Sequence, residues 1–203
     1  KEIAEVNPNT VVSIQAIGPC NVELFKNDVG AILFSSYNGQ MQGEALAEVI
    51  FGYCNPSGKI SFSWYKNLED LGNIADYSLR GKDSAPKTYW YSKAEKTYPF
   101  GHGMSYTEFE YSDLKTDKFK YNAGETINIT VKIKNTGKID GFEIVEIYVK
   151  SPEGSERPIK RLRAFKKLFV KAGEICKADL TVKVDDLWFW NISESKKELD
   201  NGK

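Results

Sequence analysis

Apolar and polar residues follow different patterns in the two parts of this chain. In the first part, residues 11–14 and 31–34 are short and almost continuously apolar, as is typical of strands that are covered on both faces. An apolar stripe over residues 42–51, followed by Gly52, predicts a helix that ends at the glycine. Residues 59–64 are predicted to form an edge strand. Together these elements indicate an α/β segment.

The second part, from about residue 109, alternates strictly between apolar and polar residues. Such alternation predicts antiparallel strands with one buried and one solvated face. The apolar positions are Ile127, Ile129, Val131 and Ile133, then Val145, Ile147 and Val149, and finally Cys176, Ala178, Leu180, Val182 and Val184. Turns are predicted at Asn122–Gly124, Asn135–Gly137, Pro152–Gly154 and Ala172–Gly173. Several short strands separated by such turns predict an all-β sandwich.

An aromatic segment joins these two parts. Residues 89–111 contain eight aromatic rings, and Pro99, Gly101 and Gly103 restrict the backbone path between them. Rings at this density indicate either a packed junction or a surface that faces a sugar. We therefore divide the chain into an α/β segment (1–88), an aromatic interdomain linker (89–111) and a β-sandwich (112–203).

Composition excludes several classes of function. The 28 basic and 28 acidic residues balance, which argues against a nucleic-acid binder and against a protein that binds anionic membranes. No apolar run reaches the ~18 residues that a membrane span needs. Three widely spaced cysteines and a single histidine, His102, make a zinc site improbable and indicate free, buried thiols. Free thiols favour a cytoplasmic location, with secretion as the alternative.

The sequence contains no complete catalytic constellation. The acidic pairs Glu69-Asp70 and Asp185-Asp186 are sequence neighbours, which cannot by themselves flank a substrate, and they are predicted to begin turns or helices. His102 lies between two glycines without an identifiable partner, so we predict a structural role for it. No cofactor motif is present, because the sequence after Gly101 lacks the third glycine of a dinucleotide-binding turn.

Several motifs resemble one family of enzymes, the family 3 glycoside hydrolases. The resemblance covers nearly the whole chain, in the family's own order. The α/β motifs are Val6–Val12, Tyr37–Gly43, Ala45–Gly52 and Asn55–Lys59, and the junction motif is Tyr98–Thr107. The motifs that resemble the family's terminal fibronectin type III-like domain are Asn135–Gly137, Arg157–Phe165, Ala172–Glu174 and Asp186–Trp190.

The resemblance implies that the parent protein is an exo-acting retaining β-glycosidase, which hydrolyses β-xylosides or β-glucosides from non-reducing ends. Phe62–Tyr65 and Lys87–Tyr91 are more similar to β-xylosidases. Family members carry an aspartate nucleophile on an N-terminal barrel and a glutamate acid/base upstream of the segment that matches Asn7–Thr10. Neither motif occurs here, so the resemblance implies no catalytic residue in this chain and an inactive isolated chain.

The expected partners are an oligosaccharide or aryl glycoside, bound by the complete enzyme, and the barrel domain, in cis or as a separate chain. Residues 1–6 read as the last turns of a helix stopped by Asn7-Pro8, so we expect a longer parent. Aromatic faces often border carbohydrate sites, and Trp64, Tyr89 and Trp90 are the predicted substrate-binding residues. The alternative function is a non-catalytic carbohydrate-binding or adhesion module built on the β-sandwich.

Overall fold

The computed structural model describes residues 1–152 and 157–199. Contacts between residues divide the chain into two compact units. Unit 1 comprises Lys1–Cys54 and Ile60–His102, whereas unit 2 comprises Asn55–Lys59 and Gly103–Lys203. The short segment Asn55–Lys59 therefore belongs with the second unit, and residues 89–111 are shared between the two. The division at residues 88 and 111 stays a prediction.

Unit 1 begins with the α/β elements that the sequence predicts. Helix α1 (Glu2–Val6) ends at Asn7, and strands β1 (Val11–Gln15) and β2 (Ala31–Ser35) pair in parallel. Helix α2 spans Gln42–Ile50. The chain leaves this helix through Gly52, whose φ of 76° lies in the left-handed region that glycine adopts without strain.

The rest of unit 1 is built from short elements. Strand β3 (Trp64–Tyr65) pairs antiparallel with β4 (Lys96–Tyr98), and the short helix α3 (Thr88–Tyr91) precedes β4. A single 3₁₀ turn covers Glu69–Leu71. The predicted edge strand over residues 59–64 is wrong, except at its last residue. Ile60 instead exchanges backbone hydrogen bonds with Gly101 and His102, a turn that is distant in sequence, and these bonds use both its N–H and its carbonyl.

Two other predictions about unit 1 need correction. Strands β1 and β2 were expected to be covered on both faces, but among the described residues none of their side chains is fully buried. The cysteines are free as predicted, but Cys20 and Cys54 are exposed and Cys176 of unit 2 is half-buried. The exposure of β1 and β2 has a physical cause, because a single pair of strands supplies too few layers to enclose its own apolar residues.

Unit 2 is the predicted β-sandwich. One sheet has the order β5 (Phe109–Thr116), β6 (Thr126–Asn135) and β9 (Ile175–Lys183), all antiparallel. The other sheet pairs β7 (Gly141–Lys150) with β8 (Lys160–Val170). A 3₁₀ turn (Val184–Leu187) leads to the small hairpin of β10 (Phe189–Asn191) and β11 (Lys196–Glu198).

The core of unit 2 consists of the inward-facing residues of these strands. Ile133, Val145, Val170 and Ala178 are almost fully buried, and Val131 and Leu180 complete the cluster. Alternate residues of β6 and β9 point to solvent, which confirms the predicted period of two. Turn glycines Gly124 and Gly173 adopt left-handed backbone angles, as their motifs require. The predicted turn at Pro152–Gly154 lies partly outside the described residues.

Among the described residues, no helix is long and apolar enough to cross a membrane.

Candidate functional site

The candidate site is a pocket of about 530 Å³ in unit 1. Its wall is mostly aromatic and aliphatic, with a few hydroxyl groups and one lysine. The lining residues are Ser61, Phe62, Ser63, Tyr65, Leu71, Leu79, Lys87, Thr88, Tyr89, Trp90 and Phe100. This volume lies within the range usual for small-molecule sites, and a mostly aromatic and aliphatic lining is typical of them.

Two of the three predicted substrate-binding residues, Tyr89 and Trp90, lie on this wall. The Tyr89 ring stacks on Phe100, with centroids 4.1 Å apart and planes inclined by 22°. Trp90 meets Tyr89 edge-on at 6.4 Å. The short helix α3 carries both side chains, and its first residue, Thr88, has a φ of 60°. A β-branched residue in the left-handed region is strained, so the surrounding contacts must hold this turn in place.

The third predicted residue, Trp64, does not line the pocket. It is only 2 % exposed, packs edge-on against Phe34 and Tyr98 at 5.3 and 5.5 Å, and donates its indole N–H to the carbonyl of Cys20. Trp64 therefore anchors β3 from the interior of unit 1. Substrate binding by Trp64, Tyr89 and Trp90 stays a prediction.

A folded loop, residues 72–87, contributes the far wall of the pocket through Leu79 and Lys87. The Asp76 carboxylate organises this loop, because it accepts hydrogen bonds from the Ser84 hydroxyl at 2.7 Å and from the Ser78 N–H at 2.8 Å. These hydrogen bonds, of which the one from Ser84 is the strongest, lower the pKa of Asp76 to about 2. The Lys87 ammonium group donates to the carbonyls of Asn73 and Asp76, which closes the loop on itself.

Several wall residues have no distinctive signal in the sequence. Leu71 and Leu79 are isolated leucines in a stretch without a sustained period, and Phe62 lies in a segment predicted to be a strand. In the structure Leu71, at the end of the 3₁₀ turn, and Leu79 of the loop stay 42 % and 44 % exposed. Isolated apolar residues in a polar loop are found at ligand sites and in docking surfaces alike.

The candidate acid and base residues have structural positions. Glu69 and Asp70 begin one 3₁₀ turn, and Asp185 and Asp186 lie in another, where Asp185 Oδ1 accepts the Gly124 N–H at 2.8 Å. The His102 ring stacks on Tyr98 at 4.8 Å, in agreement with the predicted structural role. The described residues contain no group of three or more side chains that could hold a metal ion.

A polar network in unit 2 fixes the segment Asn55–Lys59. Asn55 Oδ1 accepts from the Ser105 hydroxyl and the Tyr106 N–H, both at 2.8 Å, while its Nδ2 donates to the Asp140 carbonyl at 3.1 Å. Because these bonds use both ends of the amide, Asn55 locks the segment to the chain around residues 105 and 140.

The same segment ends in a shielded ion pair. The Lys59 ammonium lies 3.5 Å from a carboxylate oxygen of Glu143, and the Tyr111 hydroxyl donates to that oxygen at 2.7 Å. Burial, together with the hydrogen bond to Glu143, raises the pKa of Tyr111 well above its usual value. Gly103 also belongs to this contact, since a methyl group there would clash with the Gly58 carbonyl. These motif residues therefore hold unit 2 together.

The chain matches known protein families over most of its length. Residues 1–106, just over half of the chain, match the model of the glycosyl hydrolase family 3 C-terminal domain. The chain belongs to glycosyl hydrolase family 3. Residues 143–203 match the fibronectin type III-like domain, which agrees with the β-sandwich of unit 2.

Curated relatives of this family 3 chain include two kinds of glycosidase. It is 35 % identical to a xylan 1,4-beta-xylosidase of Xylanibacter ruminicola over 85 % of this chain and 19 % of that protein. It is also 35 % identical to the thermostable beta-glucosidase B of Acetivibrio thermocellus, over 98 % of this chain and 28 % of the relative. The family 3 chain thus spans only about a fifth to somewhat over a quarter of these two relatives.

Solved family 3 structures show the same fold. The beta-D-glucoside glucohydrolase of Trichoderma reesei aligns with a TM-score of 0.84 at 25 % identity, over 98 % of this chain and 31 % of that one. Beta-glucosidase 3B of Thermotoga neapolitana, solved in complex with α-D-glucose, aligns with a TM-score of 0.79 at 30 % identity, over 94 % and 28 % of the two chains. The predicted α/β segment followed by a fibronectin-like sandwich is therefore confirmed.

Proposed function

We propose that this chain is the C-terminal, supporting part of an exo-acting retaining β-glycosidase that releases xylose or glucose from non-reducing ends. The observation that carries the proposal is the 35 % identity to both a xylosidase and a β-glucosidase, each matched over at least 85 % of this chain. The match of residues 1–106 to the family's C-terminal domain model supports the C-terminal, supporting role.

Exposed apolar side chains in unit 1 support the proposal that another domain covers part of its surface. Ile3, Val11, Ile50, Phe51 and Tyr53 are between 44 % and 84 % exposed, although they lie on or beside α1, β1 and α2. Apolar faces of regular elements that remain in water usually mark an interface. We propose that the N-terminal domain of the parent enzyme, in cis or as a separate chain, covers these faces.

The chemistry of a retaining glycosidase explains how such a part contributes without reacting. One carboxylate attacks the anomeric carbon while a second carboxylic acid, about 5 Å away, protonates the leaving oxygen. Water then releases the sugar from the covalent intermediate, with the second group acting as base. The proposal assigns both carboxylates to other parts of the parent, so the residues of this chain position and enclose the site.

The compartment is part of the same proposal. Two exposed thiols and one half-buried thiol, none of them in a disulfide, favour a reducing location such as the cytoplasm. A measurement of disulfide content in the natural protein would check this, since oxidised Cys20 or Cys54 would favour secretion.

Hydrolysis of nitrophenyl β-xyloside and nitrophenyl β-glucoside tests the proposed activity. The parent enzyme should release nitrophenol from at least one of them, with retention of anomeric configuration by NMR, and the isolated chain should release none. A parent that hydrolyses neither substrate, or that inverts the anomeric centre, would overturn the proposal. The corresponding nitrophenyl α-glycosides provide the control, because they carry the same leaving group in the opposite anomeric configuration.

A further inference from the structure

We infer that a groove in unit 2, lined by strands β6, β8 and β9, binds a sugar that carries a carboxylate group. The groove encloses about 490 Å³. Its lining residues are Asn128, Ile129, Thr130, Arg163, Ala164, Phe165, Lys166, Asp179, Leu180 and Thr181. Neither the family match nor the names of the relatives assign a ligand to it. A place for this sugar among the substrates of the parent enzyme rests on the proposed function, whereas the binding depends on unit 2 alone.

The floor of the groove is polar because four side chains point outward from two paired strands. Asn128 of β6 faces Thr181 of β9, and Thr130 faces Asp179. The residues between them on both strands are buried in the core, so these four side chains lie on the solvent face of the sheet. Directly opposed side chains have Cβ atoms about 5 Å apart, so the four form one patch of hydroxyl, amide and carboxylate groups.

The Asp179 carboxylate is held in place and still offers an acceptor. Its Oδ1 accepts the Thr130 hydroxyl at 2.9 Å and lies 2.9 Å from the Lys177 ammonium. The hydrogen bonds from Lys177 and Thr130 lower the pKa of Asp179, which keeps the group ionised at neutral pH. In the part of the chain that the structure describes, Oδ2 has no hydrogen-bond partner. Asp179 Oδ2 can therefore accept a hydroxyl of a ligand.

Asn128 and Thr181 add two further groups to the same patch. Asn128 Nδ2 donates to Asp117 at 2.8 Å, and this bond orients the amide with its oxygen still available. The Thr181 hydroxyl makes no hydrogen bond to any described residue. A floor whose groups are fixed before binding avoids part of the entropy cost of ordering them. These acceptors suit a ligand that is rich in hydroxyl groups.

The β8 wall of the groove carries positive charge. Residues 157–167 contain six basic side chains and no acidic one. Three of the six lie over aromatic rings and a fourth donates to backbone carbonyls, and these are Arg157, Lys160, Lys167 and Arg161. The other two, Arg163 and Lys166, line the groove.

Lys166 is the cation that an anionic ligand would meet. Its side chain is exposed, and its ammonium group makes a long hydrogen bond of 3.4 Å to the Asp179 carbonyl. Among residues 1–152 and 157–199, no carboxylate forms an ion pair with it. The groove thus places an uncompensated ammonium group next to an ionised carboxylate and two neutral polar groups.

This combination selects between classes of ligand. A phosphate dianion would bind Lys166 but be repelled by Asp179. A neutral sugar would bind the floor but leave Lys166 without a counterion. A hexuronate carries one carboxylate for Lys166 and hydroxyl donors for Asp179 and Asn128, and hydrogen bonds with a charged partner are about twice as strong as neutral ones. A carboxylate-bearing sugar therefore fits the groove best.

Calorimetry and ligand-observed NMR on the intact chain, at constant ionic strength, test the inference. The probes are methyl β-glucuronide, methyl β-glucoside, acetate and inorganic phosphate, of which the first two differ only in a carboxylate that replaces a hydroxymethyl group. We expect saturable binding of the glucuronide, and at least about fivefold weaker binding of each other probe. No binding of the glucuronide would overturn the inference, as would equal affinity for the glucoside, acetate or phosphate.

Variants locate the binding. Lys166→Gln should weaken glucuronide binding by about fivefold or more and leave glucoside binding unchanged. Thr181→Val removes only a hydroxyl at a β-branched strand position, and it should weaken binding of both sugars by about 2- to 12-fold. Lys183→Gln is the matched control, because it removes the same charge from an exposed position of β9 outside the groove.

The control decides between a site and a general attraction by positive charge. If Lys183→Gln weakens glucuronide binding as much as Lys166→Gln does, the groove is not the site and the inference is wrong. Unchanged affinity in both groove variants, with the circular dichroism spectrum of the unaltered chain, would contradict it equally.

Failure of this inference is distinguishable from failure of the proposed function. If the chain binds the glucuronide but the parent hydrolyses no β-glycoside, the site exists and the glycosidase proposal is wrong. If the parent hydrolyses β-glycosides while the chain does not bind the glucuronide, only the groove site is wrong.

Discussion

Replacing Asn135 with alanine removes a fully buried amide that joins four parts of unit 2. Its Oδ1 accepts hydrogen bonds from the Thr107 hydroxyl at 2.6 Å and from the Gly137 N–H at 3.1 Å. Its Nδ2 donates to the carbonyls of Ile139 at 2.8 Å and Val170 at 3.0 Å. The side chain thereby links the end of β6, the turn after it, the end of β8 and the segment before β5.

The size of the effect follows from which partners can find water. Ile139 is 50 % exposed and Gly137 is half-buried, so their backbone groups can be hydrated after the substitution. The Val170 carbonyl and the Thr107 hydroxyl belong to residues that are 0 % and 7 % exposed. Each buried polar group left without a partner costs about 1–3 kcal/mol, so Asn135→Ala should lower the free energy of unfolding of unit 2 by about 2–6 kcal/mol.

Urea unfolding followed by far-UV circular dichroism measures this change, with the slope m checked for constancy. Hydrogen exchange of the amides of Val131 and Ile133 assigns the change to unit 2, because both residues lie in the core of the sandwich. Asn122→Ala is the matched control. Asn122 is an exposed turn residue of the same unit, and its replacement should alter stability by less than about 0.5 kcal/mol.

A loss below about 1 kcal/mol for Asn135→Ala, or a loss no larger than that of the control, would refute this reasoning. It would mean that the four hydrogen bonds contribute little beyond what the unfolded chain obtains from water. A large loss confined to amides of unit 1 would refute the placement of the network.

Three further predictions test other contacts. Glu143→Gln removes the charged acceptor of Tyr111, so the raised pKa of this phenol should fall, but only in part, because burial is the larger cause of the shift and remains. Ultraviolet titration should show phenolate at lower pH, and an unchanged curve would refute the pairing. Asp76 has a pKa of about 2 in the folded protein, against an ordinary value of 3.8, so its carboxylate stabilises the loop 72–87 fully above pH 3.8 and loses this effect as the pH falls towards 2. Proteolysis of the loop should therefore speed up in acid, and Asp76→Asn should abolish this dependence on pH. Gly81→Ala should destabilise the same loop by about 1–3 kcal/mol and speed its cleavage, whereas Gly43→Ala, with open space and no positive φ, should not.

The β-sandwich could be predicted well because its sequence signal is local. A period of two over β6 and β9 requires only that one face of each strand be buried, and Ile133 and Ala178 are indeed inaccessible to solvent. The turns at Gly124 and Gly173 were predictable for the same reason, since only glycine adopts their backbone angles without strain.

The α/β segment was harder to predict because its burial depends on distant parts of the fold. The apolar runs of β1 and β2 correctly indicated strands, but their side chains stay partly exposed in the described structure. Residues 59–64 have the composition of a strand, yet the bonds of Ile60 to Gly101 and His102 replace sheet pairing. Such a competition between a distant turn and a sheet edge has no signature in a single sequence.

The candidate pocket shows the same limit. The density of rings in residues 89–111 indicated a special region, and the structure places Tyr89, Trp90 and Phe100 on one wall. Residue type alone groups Trp64 with them, whereas the structure buries its ring against Phe34 and Tyr98. The sequence identifies aromatic side chains, but the fold of unit 1 decides which of them surround a cavity.

Trapping of the covalent intermediate tests most directly whether this chain supports a glycosidase without supplying its reactive groups. An activated fluoroglycoside should label the nucleophile of the parent enzyme, because a retaining mechanism passes through a glycosyl-enzyme ester. Peptide mass mapping should then find the label outside the sequence of this chain, with Glu69, Asp70, Asp185 and Asp186 unmodified. A label on any carboxylate between Lys1 and Lys203 would contradict the proposed division of labour.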